Sequence, residues 1–202
     1  MPLIRAAAAA DLDDLYEICL RTGDGGADAS AMFDDPRLLG EVYVGPYVVL
    51  SSGVGLTAVD RAGPAAYALA TADTRRFEAE CEQEWWPPLR ARYADPGPGP
   101  ATPDQEIVAL IHRPRTASPA LVADFPAHLH IDLLPRVQGR GMGRVLMEML
   151  LGELESSGVP GVHLQVDARN HRAIGFYRHL GFVTLETKAD AVAMGLPLNK
   201  VG

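Results

Sequence analysis

The fold is decided by residues 130–144, HIDLLPRVQGRGMGR, whose pattern predicts an apolar strand, a tight glycine-rich turn and the start of a helix. Three glycines at alternate positions let the backbone approach a ligand closely. The first N–H groups of a helix lack partners within it, and they favour phosphate oxygens. Arg140 and Arg144 add positive charge at the same place. The segment therefore predicts an anion-binding turn.

The spacing of the glycines excludes two common phosphate-binding motifs. A dinucleotide-binding turn reads G-x-G-x-x-G, and its third glycine would fall at Arg144. A Walker loop requires Lys followed by Ser or Thr, and no such pair follows the turn. What remains is Q-x-x-G-x-G over residues 138–143, behind a strand that ends at residues 133–135. Taken alone, this hexapeptide also suits a compact connection without a ligand.

A second segment adds another strand, a short helix and a further strand. Residues 162–166 alternate apolar and polar side chains, as a half-buried strand does. Asn170 is placed to cap the following helix and Gly181 to end it. Helical spacing is shown by the apolar residues Ala173, Phe176, Tyr177 and Leu180.

Together these segments resemble the two characteristic motifs of the GCN5-related N-acetyltransferase (GNAT) superfamily. They read Q-x-x-G-x-G and N-x-x-A-x-x-F-Y-x-x-x-G-F, in the family's order and at its usual separation. The resemblance implies an α/β fold of the α+β kind, with a mixed, mostly antiparallel central sheet that is splayed at the CoA site and flanked by helices. It also implies acetyl-CoA as cofactor. The residues that it assigns to cofactor binding are Leu133, Leu134, Val137, Gln138, Gly139, Arg140, Gly141, Met142, Gly143, Arg144, Asn170, Ala173, Phe176 and Tyr177.

Smaller segments resemble the acetyltransferase-like domain at the C-terminus of eukaryotic O-GlcNAcase. They are residues 15–19, 67–69, 84–87, 124–126 and 176–181. The eukaryotic domain is degenerate in its CoA loop, whereas residues 138–143 are intact here. The resemblance therefore implies a bacterial-type relative that still binds the cofactor.

Length and composition predict one globular domain over residues 1–202, with an inserted helical and Pro/Gly-rich region at about 74–126. The formal net charge of -8 argues against nucleic acid as a partner and suits a cationic acceptor. No apolar run reaches membrane-spanning length, so we expect no membrane contact. Cys19 and Cys81 lack metal-ligand spacing and suggest a reducing cytoplasm. A homodimer is left open.

Acetyl transfer to an amine needs a base for the amine proton and an acid for the departing thiolate. The family resemblance places Tyr177 near the CoA sulfur as the general acid, and a core aromatic is the alternative. Alternation along the first strand puts His130 and Asp132 on one face as candidate bases. The alternative is that these two residues and His128 form the solvent-exposed face of a strand. Since no fourth ligand accompanies them, we expect no metal.

Candidate residues for the acceptor lie in the inserted region. Trp85 and Trp86 are predicted to line an acceptor pocket and Asp73 to attract an amine; the alternatives are that such tryptophans more often pack an inserted helix and that exposed carboxylates are usually solvated. The predicted activity is transfer of an acetyl group from acetyl-CoA to a protein lysine or a small amine, by direct attack in a ternary complex. The alternative is an acetyl-CoA-binding pseudoenzyme or protein-interaction module without turnover.

Other elements follow from local patterns. We expect a helix from residue 12, a pair of strands at 47–50 and 56–59, and a further strand at 65–70. Residues 74–92 have a helical pattern that Pro87 and Pro88 break or kink. A helix over about 103–112 and a last strand at 191–196 complete the prediction.

Overall fold

A seven-stranded sheet runs through the computed structural model, which describes residues 2–99 and 101–198. The strand order is β1-β2-β3-β4-β5-β7-β6. Only β4 and β5 pair in parallel, and every other neighbouring pair is antiparallel, so the predicted mixed, mostly antiparallel sheet is confirmed. The strands are β1 (Leu3–Ala6), β2 (Gly53–Asp60), β3 (Gly63–Thr71), β4 (Ala127–Leu133), β5 (Gly161–Asp167), β6 (Val183–Thr187) and β7 (Ala191–Pro197).

Helices cover both faces of the sheet. One face buries the apolar side of α8, and the opposite face packs against α1 to α5. The α4 helix and the α5 helix are joined by a π-helical turn at Cys81–Trp85. The helices are α1 (Leu12–Leu20), α2 (Leu38–Tyr43), α3 (Gly45–Val49), α4 (Thr74–Glu80), α5 (Trp86–Arg92), α6 (Pro103–His112), α7 (Pro119–Asp124), α8 (Met142–Ser156) and α9 (His171–His179). Among the described residues, no helix is long and apolar enough to cross a membrane.

The two central strands separate soon after they begin, as the family resemblance implied. Within the described chain, β4 and β5 pair only at Ala127 with Val162 and at His128 with His163. Beyond these positions the strands diverge, and we call the opening between them the splay. It runs toward the turn at residues 138–143, which we call the glycine turn.

The splay leaves part of the β4 backbone open. Leu134 donates its amide hydrogen to Ala65 O, with 2.9 Å between N and O, on the β3 side. Because hydrogen-bonding directions alternate along an antiparallel ladder, the backbone groups of Ile131 and Leu133 face the opposite side, toward the splay. Of the predicted cofactor contacts Leu133 and Leu134, the first therefore has its backbone on the open edge.

One local prediction was wrong. Residues 47–50 were predicted as a strand, because β-branched valines favour strands. Instead Pro46 stands in the first turn of α3 and Tyr47 is buried in the core, so tertiary packing overrides the local preference. The predicted interruption of the helical pattern over 74–92 does occur: α4 passes into the π-helical turn, and Pro87 and Pro88 stand in the first turn of α5, where a missing amide hydrogen costs little.

Other predictions agree more closely with the structure. The helix at 103–112 and the strand at 191–197 occur within a residue of the expected limits. The last strand in the chain is not an edge strand, since β7 lies between β5 and β6. The edge position belongs to β6, and all five of its residues are exposed.

Candidate active site

The glycine turn has the conformation that an anion site needs. Gly139 and Gly141 adopt φ angles of 71° and 78°, in the left-handed region that favours glycine. A β-carbon added at either position would meet no atom of the described residues within 4 Å, so the space beside the turn is open. Gly143 has a different role, because its added β-carbon would lie 3.4 Å from the Phe176 ring. Gly143 therefore lies where α8 packs on α9, and an added β-carbon there would be in van der Waals contact with the ring.

The start of α8 presents free backbone donors beside this open space. The first intrahelical bond runs from Val145 N to Gly141 O, at 3.1 Å. The amide hydrogens of Met142, Gly143 and Arg144 precede it and have no partner in the helix. The side chains of Val137 and Met142 are buried in the core, so these two predicted residues offer only backbone groups. The residues present thus fit an anionic group such as a pyrophosphate.

Gln138 fastens the turn to its surroundings. Its Nε2 donates to Leu133 O at 2.7 Å, and its Oε1 accepts from Arg172 Nη1 at 2.6 Å. Arg144 donates from Nη2 to His179 Nε2 at 2.7 Å, while Arg140 is exposed. Arg172 was not among the predicted residues, because it lies 34 residues from Gln138 and only the fold joins them.

The first turn of α9 borders the splay. Asn170 caps this helix as predicted, since its Oδ1 accepts from Ala173 N at 3.0 Å. Gly181 ends the helix with a φ of 96°. Asn170, Ala173 and Tyr177 line a cavity of about 200 Å³, which we call the small cavity.

A second cavity of about 970 Å³ lies beside the first, and we call it the large cavity. Aromatic rings and carboxylates contribute to its walls, among them Tyr43, Tyr47, Phe77, Trp86, Glu78 and Glu106. The two cavities share residues at the splay, namely Tyr43, Leu129, His130, Gln165, Val166 and Asp167. His130 is the one imidazole among these shared residues, so it faces both compartments.

The polar face of β4 is not exposed to bulk solvent. His128, His130 and Asp132 are half-buried beneath the helices of this side and line the two cavities, so a fully exposed strand face, the alternative, does not fit their burial. Burial lowers the pKa of His130 to about 4 and holds that of His128 well below its usual value. Both imidazoles are neutral near pH 7.

A tyrosine on α3 joins the two histidines. Tyr47 Oη lies 2.6 Å from His128 Nε2 and 2.9 Å from His130 Nε2. Thr74 Oγ1 lies 2.8 Å from His128 Nδ1 and donates to Pro126 O at 2.7 Å. Sequence patterns did not identify Tyr47 or Thr74, which reach β4 from distant elements.

Asp132 lies farther along the same face and lines the small cavity. Tyr67 Oη donates to its Oδ2 at 2.5 Å. Burial raises the pKa of Asp132 to about 6, although the bond from Tyr67 opposes the shift. Burial and the nearby Asp132 charge raise the pKa of Tyr177, which therefore stays protonated at neutral pH.

The three predicted acceptor residues have separate positions. Trp86 is buried and lines the large cavity. Trp85 Nε1 donates to Glu41 O at 2.8 Å, and Asp73 caps α4 by accepting from the amides of Arg75 and Arg76. Neither Trp85 nor Asp73 is among the described residues that line the two cavities.

A splayed mixed sheet, with a turn that fits an anion at one end and titratable groups along the opening, agrees with the class of acyl-CoA-dependent transferases. The sequence pattern of the Acetyltransferase (GNAT) family matches residues 66–182, and the chain belongs to this family. Acetyl-CoA is the acetyl donor that the family uses. The predicted membership is thereby confirmed.

Individual proteins extend the comparison. Protein O-GlcNAcase of Rattus norvegicus is 27% identical over 173 residues, which are 85% of this chain and 19% of that protein. The ribosomal protein bS18 alanine N-acetyltransferase of Salmonella typhimurium is 37% identical over 89 residues, 39% of this chain and 60% of that enzyme. The chain spans about a fifth of the length of the O-GlcNAcase that it matches. The crystal structure of SsHAT has a TM-score of 0.91 and 40% identity, covering 98% of this chain and 99% of that one.

Proposed function

We propose that this chain transfers an acetyl group from acetyl-CoA to an amine acceptor, a small amine or a protein lysine, by direct attack in a ternary complex. The observation that carries the proposal is the meeting of two cavities at the splay, with His130 on both. Separate compartments allow both reactants to be bound at once. The free thiols of Cys19 and Cys81 have pKa values raised by burial and are poor nucleophiles, which supports transfer without a covalent enzyme intermediate. Free cysteines also support the cytoplasm as the compartment.

The residues that would hold the cofactor follow from the open backbone groups. The glycine turn and the first amides of α8 would bind the pyrophosphate, with Arg140 and Arg144 supplying charge. The backbone groups of Ile131 and the amide of Leu133, on the open edge of β4, would hydrogen-bond the pantetheine arm, while the Leu133 carbonyl accepts from Gln138 Nε2. Bound acetyl-CoA supplies the acetyl group activated as a thioester.

His130 is the proposed base. It is neutral near pH 7, it faces both cavities, and it takes the proton that the acceptor nitrogen loses as the new C–N bond forms. Asp132 lies two residues along the same face of β4, roughly 7 Å away at about 3.3 Å per residue. Its carboxylate favours the imidazolium that His130 becomes. Asp132 lines only the small cavity, whereas His130 lines both. An acceptor in the large cavity therefore meets His130 and not Asp132.

Tyr177 is the proposed acid. Its protonated hydroxyl lies on the small cavity and gives a proton to the sulfur as the C–S bond breaks. Transfer of the His130 proton through solvent to the Tyr177 phenolate then restores both groups. The cycle therefore leaves no net proton on the enzyme side chains.

Calorimetry and a CoA-release assay test this proposal. We expect saturable acetyl-CoA binding at micromolar concentration, and CoA release with at least one member of a panel of spermidine, lysine amides, lysine peptides and simple amines. Initial rates at varied concentrations of both substrates should give intersecting reciprocal plots, as a ternary complex requires. Binding without release on any acceptor would instead support a cofactor-binding module, and no binding would contradict both functions.

A further inference from the structure

The contacts of Tyr47 form part of a chain of hydrogen bonds in which the donor and the acceptor of each bond can be assigned. Pro126 O can only accept, so the Thr74 hydroxyl must donate to it. The Thr74 oxygen, 2.8 Å from His128 Nδ1, must then accept a hydrogen bond from that nitrogen. A neutral His128 therefore carries its proton on Nδ1 and has a lone pair on Nε2.

The same reasoning continues to His130. His128 Nε2 accepts from the Tyr47 hydroxyl at 2.6 Å, which leaves the Tyr47 oxygen to accept from His130 Nε2 at 2.9 Å. Neutral His130 then bears its proton on Nε2 and its lone pair on Nδ1. One backbone carbonyl thus sets the orientation of four consecutive hydrogen bonds.

The free nitrogen of His130 reaches a cavity. In the part of the chain that the structure describes, no buried side-chain nitrogen or oxygen lacks a hydrogen-bond partner. His130 Nδ1 makes no hydrogen bond within the described residues, so it must be accessible from the cavities that its residue lines. This is the nitrogen that an acceptor amine would meet.

We propose that Tyr47 is a positioning residue, which holds His130 in the Nε2–H tautomer and thereby directs the Nδ1 lone pair toward the acceptor. This inference rests on the proposed role of His130 as base. Packing makes the arrangement rigid, because Tyr47 stacks on Phe77 with ring centroids 4.4 Å apart and is 5% exposed. Thr74 at the far end of the chain is 2% exposed. Tyr47 itself touches no reacting atom in this scheme.

Spectroscopy tests the positioning without turnover. Long-range 1H–15N spectra of the whole chain distinguish protonated from unprotonated ring nitrogens. We expect wild-type His130 to show a protonated Nε2 and an unprotonated Nδ1, and the Tyr47→Phe variant to show a mixture of tautomers. The variant keeps the ring that stacks on Phe77 and removes only the hydroxyl. A wild-type proton on Nδ1, or an unchanged tautomer in the variant, would overturn the inference.

Kinetics with the most active amine of the acceptor panel provide the second readout. Tyr47→Phe should lower kcat at least about ten-fold, since loss of a group that fixes a catalytic histidine tautomer costs that much or more. The KM for acetyl-CoA should stay within about two-fold, because Tyr47 is remote from the glycine turn. Unchanged kcat would contradict the inference. Thr74→Val removes the hydroxyl that accepts from His128 Nδ1 and should lower kcat, and Thr74→Ser, which restores a hydroxyl, should recover the lost turnover.

Two further variants distinguish a wrong assignment of His130 as base from a wrong role for Tyr47. Tyr93→Phe is the matched control. The Tyr93 hydroxyl donates to Asp35 Oδ2 at 2.7 Å, and neither residue lines either cavity, so this variant should leave kcat unchanged. His130→Gln should lower kcat at least about 100-fold, as expected for loss of a general base. Wild-type turnover by His130→Gln would reject the base itself, whereas the spectra judge the role of Tyr47 independently.

Discussion

His130 and Asp132 lie two residues apart on one face of β4, and burial moves their pKa values in opposite directions. The pKa of the imidazole falls to about 4, whereas that of the carboxyl rises to about 6. Burial disfavours the charged form of either group. The charged form of the imidazole is the protonated one, whereas the charged form of the carboxyl is the deprotonated one. Above pH 6 a neutral imidazole therefore stands near a carboxylate. This pairing suits proton uptake by His130.

The pH dependence of turnover should report Asp132. We expect wild-type kcat to rise as pH increases through about 6, because ionised Asp132 stabilises the imidazolium. The Asp132→Asn variant should be slower, and its rise should move toward the His130 pKa of about 4. Titration of the acceptor amine is common to both enzymes and cancels in the ratio of their rates. A rise at the same pH in both would argue against this role of Asp132.

Acid should destabilise the fold. His128, His130 and His163 have pKa values lowered by burial, so between pH 6.5 and 4 the unfolded chain binds protons that the folded chain does not. Their stabilising contribution is complete above pH 6.5 and is lost as pH falls. The raised pKa of Asp132 has the opposite effect on the free energy of unfolding, because the folded chain then binds a proton that the unfolded chain does not. Asp132 is one group, however, and the histidines are three.

We expect the Tm at pH 5 to be roughly 5–10 °C below that at pH 7.5, given about 2–4 °C per kcal/mol for a chain of this size. Differential scanning fluorimetry in matched buffers would measure it. His163→Gln should make the dependence shallower, because it removes one of the three lowered pKa values. A Tm that is equal or higher at pH 5 would contradict the prediction.

Two glycines, one in the glycine turn and one inside α8, offer a paired test of the turn. Gly141→Ala forces alanine into a φ of 78°, which costs about 1–2 kcal/mol or distorts the turn. We expect acetyl-CoA affinity to fall at least about ten-fold. Gly152→Ala, in the interior of α8 with no atom of the described chain within 4 Å of the new β-carbon, should stabilise by about 0.5–1 kcal/mol. Its acetyl-CoA affinity should match wild type in calorimetry, and equal affinities for both variants would reject the turn as the cofactor site.

Tyr177→Phe tests the proposed acid. The change removes one hydroxyl and keeps a ring that packs near Phe176 and Phe182, with centroids at 5.5 and 5.6 Å. We expect kcat to fall by about 100-fold or more, as loss of a general acid predicts. The Kd for acetyl-CoA should change less than about three-fold. Tyr93→Phe serves again as control, and full activity in Tyr177→Phe would remove the hydroxyl from the reaction.

The glycine turn and α9 could be predicted from sequence because their signals are local. The glycine spacing, the Asn170 cap and the Gly181 end each depend on a few consecutive residues, and the structure has the cap and the end as expected. Family membership follows from the same two segments. Caps, helix ends and tight turns can be predicted because a few consecutive residues determine them.

The surroundings of His130 could not be predicted because they are assembled across the chain. Tyr47 meets His128 and His130 over separations of 81 and 83 residues. Its own element was misassigned, since consecutive valines favour a strand while Gly45 needs to pack closely on Trp85 in a helix. Alternation along β4 gave the shared face of His130 and Asp132, but it carried no information about the helices that bury that face.

The adjacent tryptophans should separate acceptor binding from stability. Trp86 lines the large cavity, so Trp86→Phe should raise the acceptor KM while leaving acetyl-CoA affinity within about two-fold. Trp85 instead donates from Nε1 to Glu41 O, and Trp85→Phe leaves that carbonyl without its partner. Loss of one such bond costs about 1–3 kcal/mol, so the Tm should fall by roughly 2–12 °C while the acceptor KM stays unchanged. Thermal melts and steady-state kinetics on both variants would measure this, and a KM effect confined to Trp85→Phe would place the acceptor outside the large cavity.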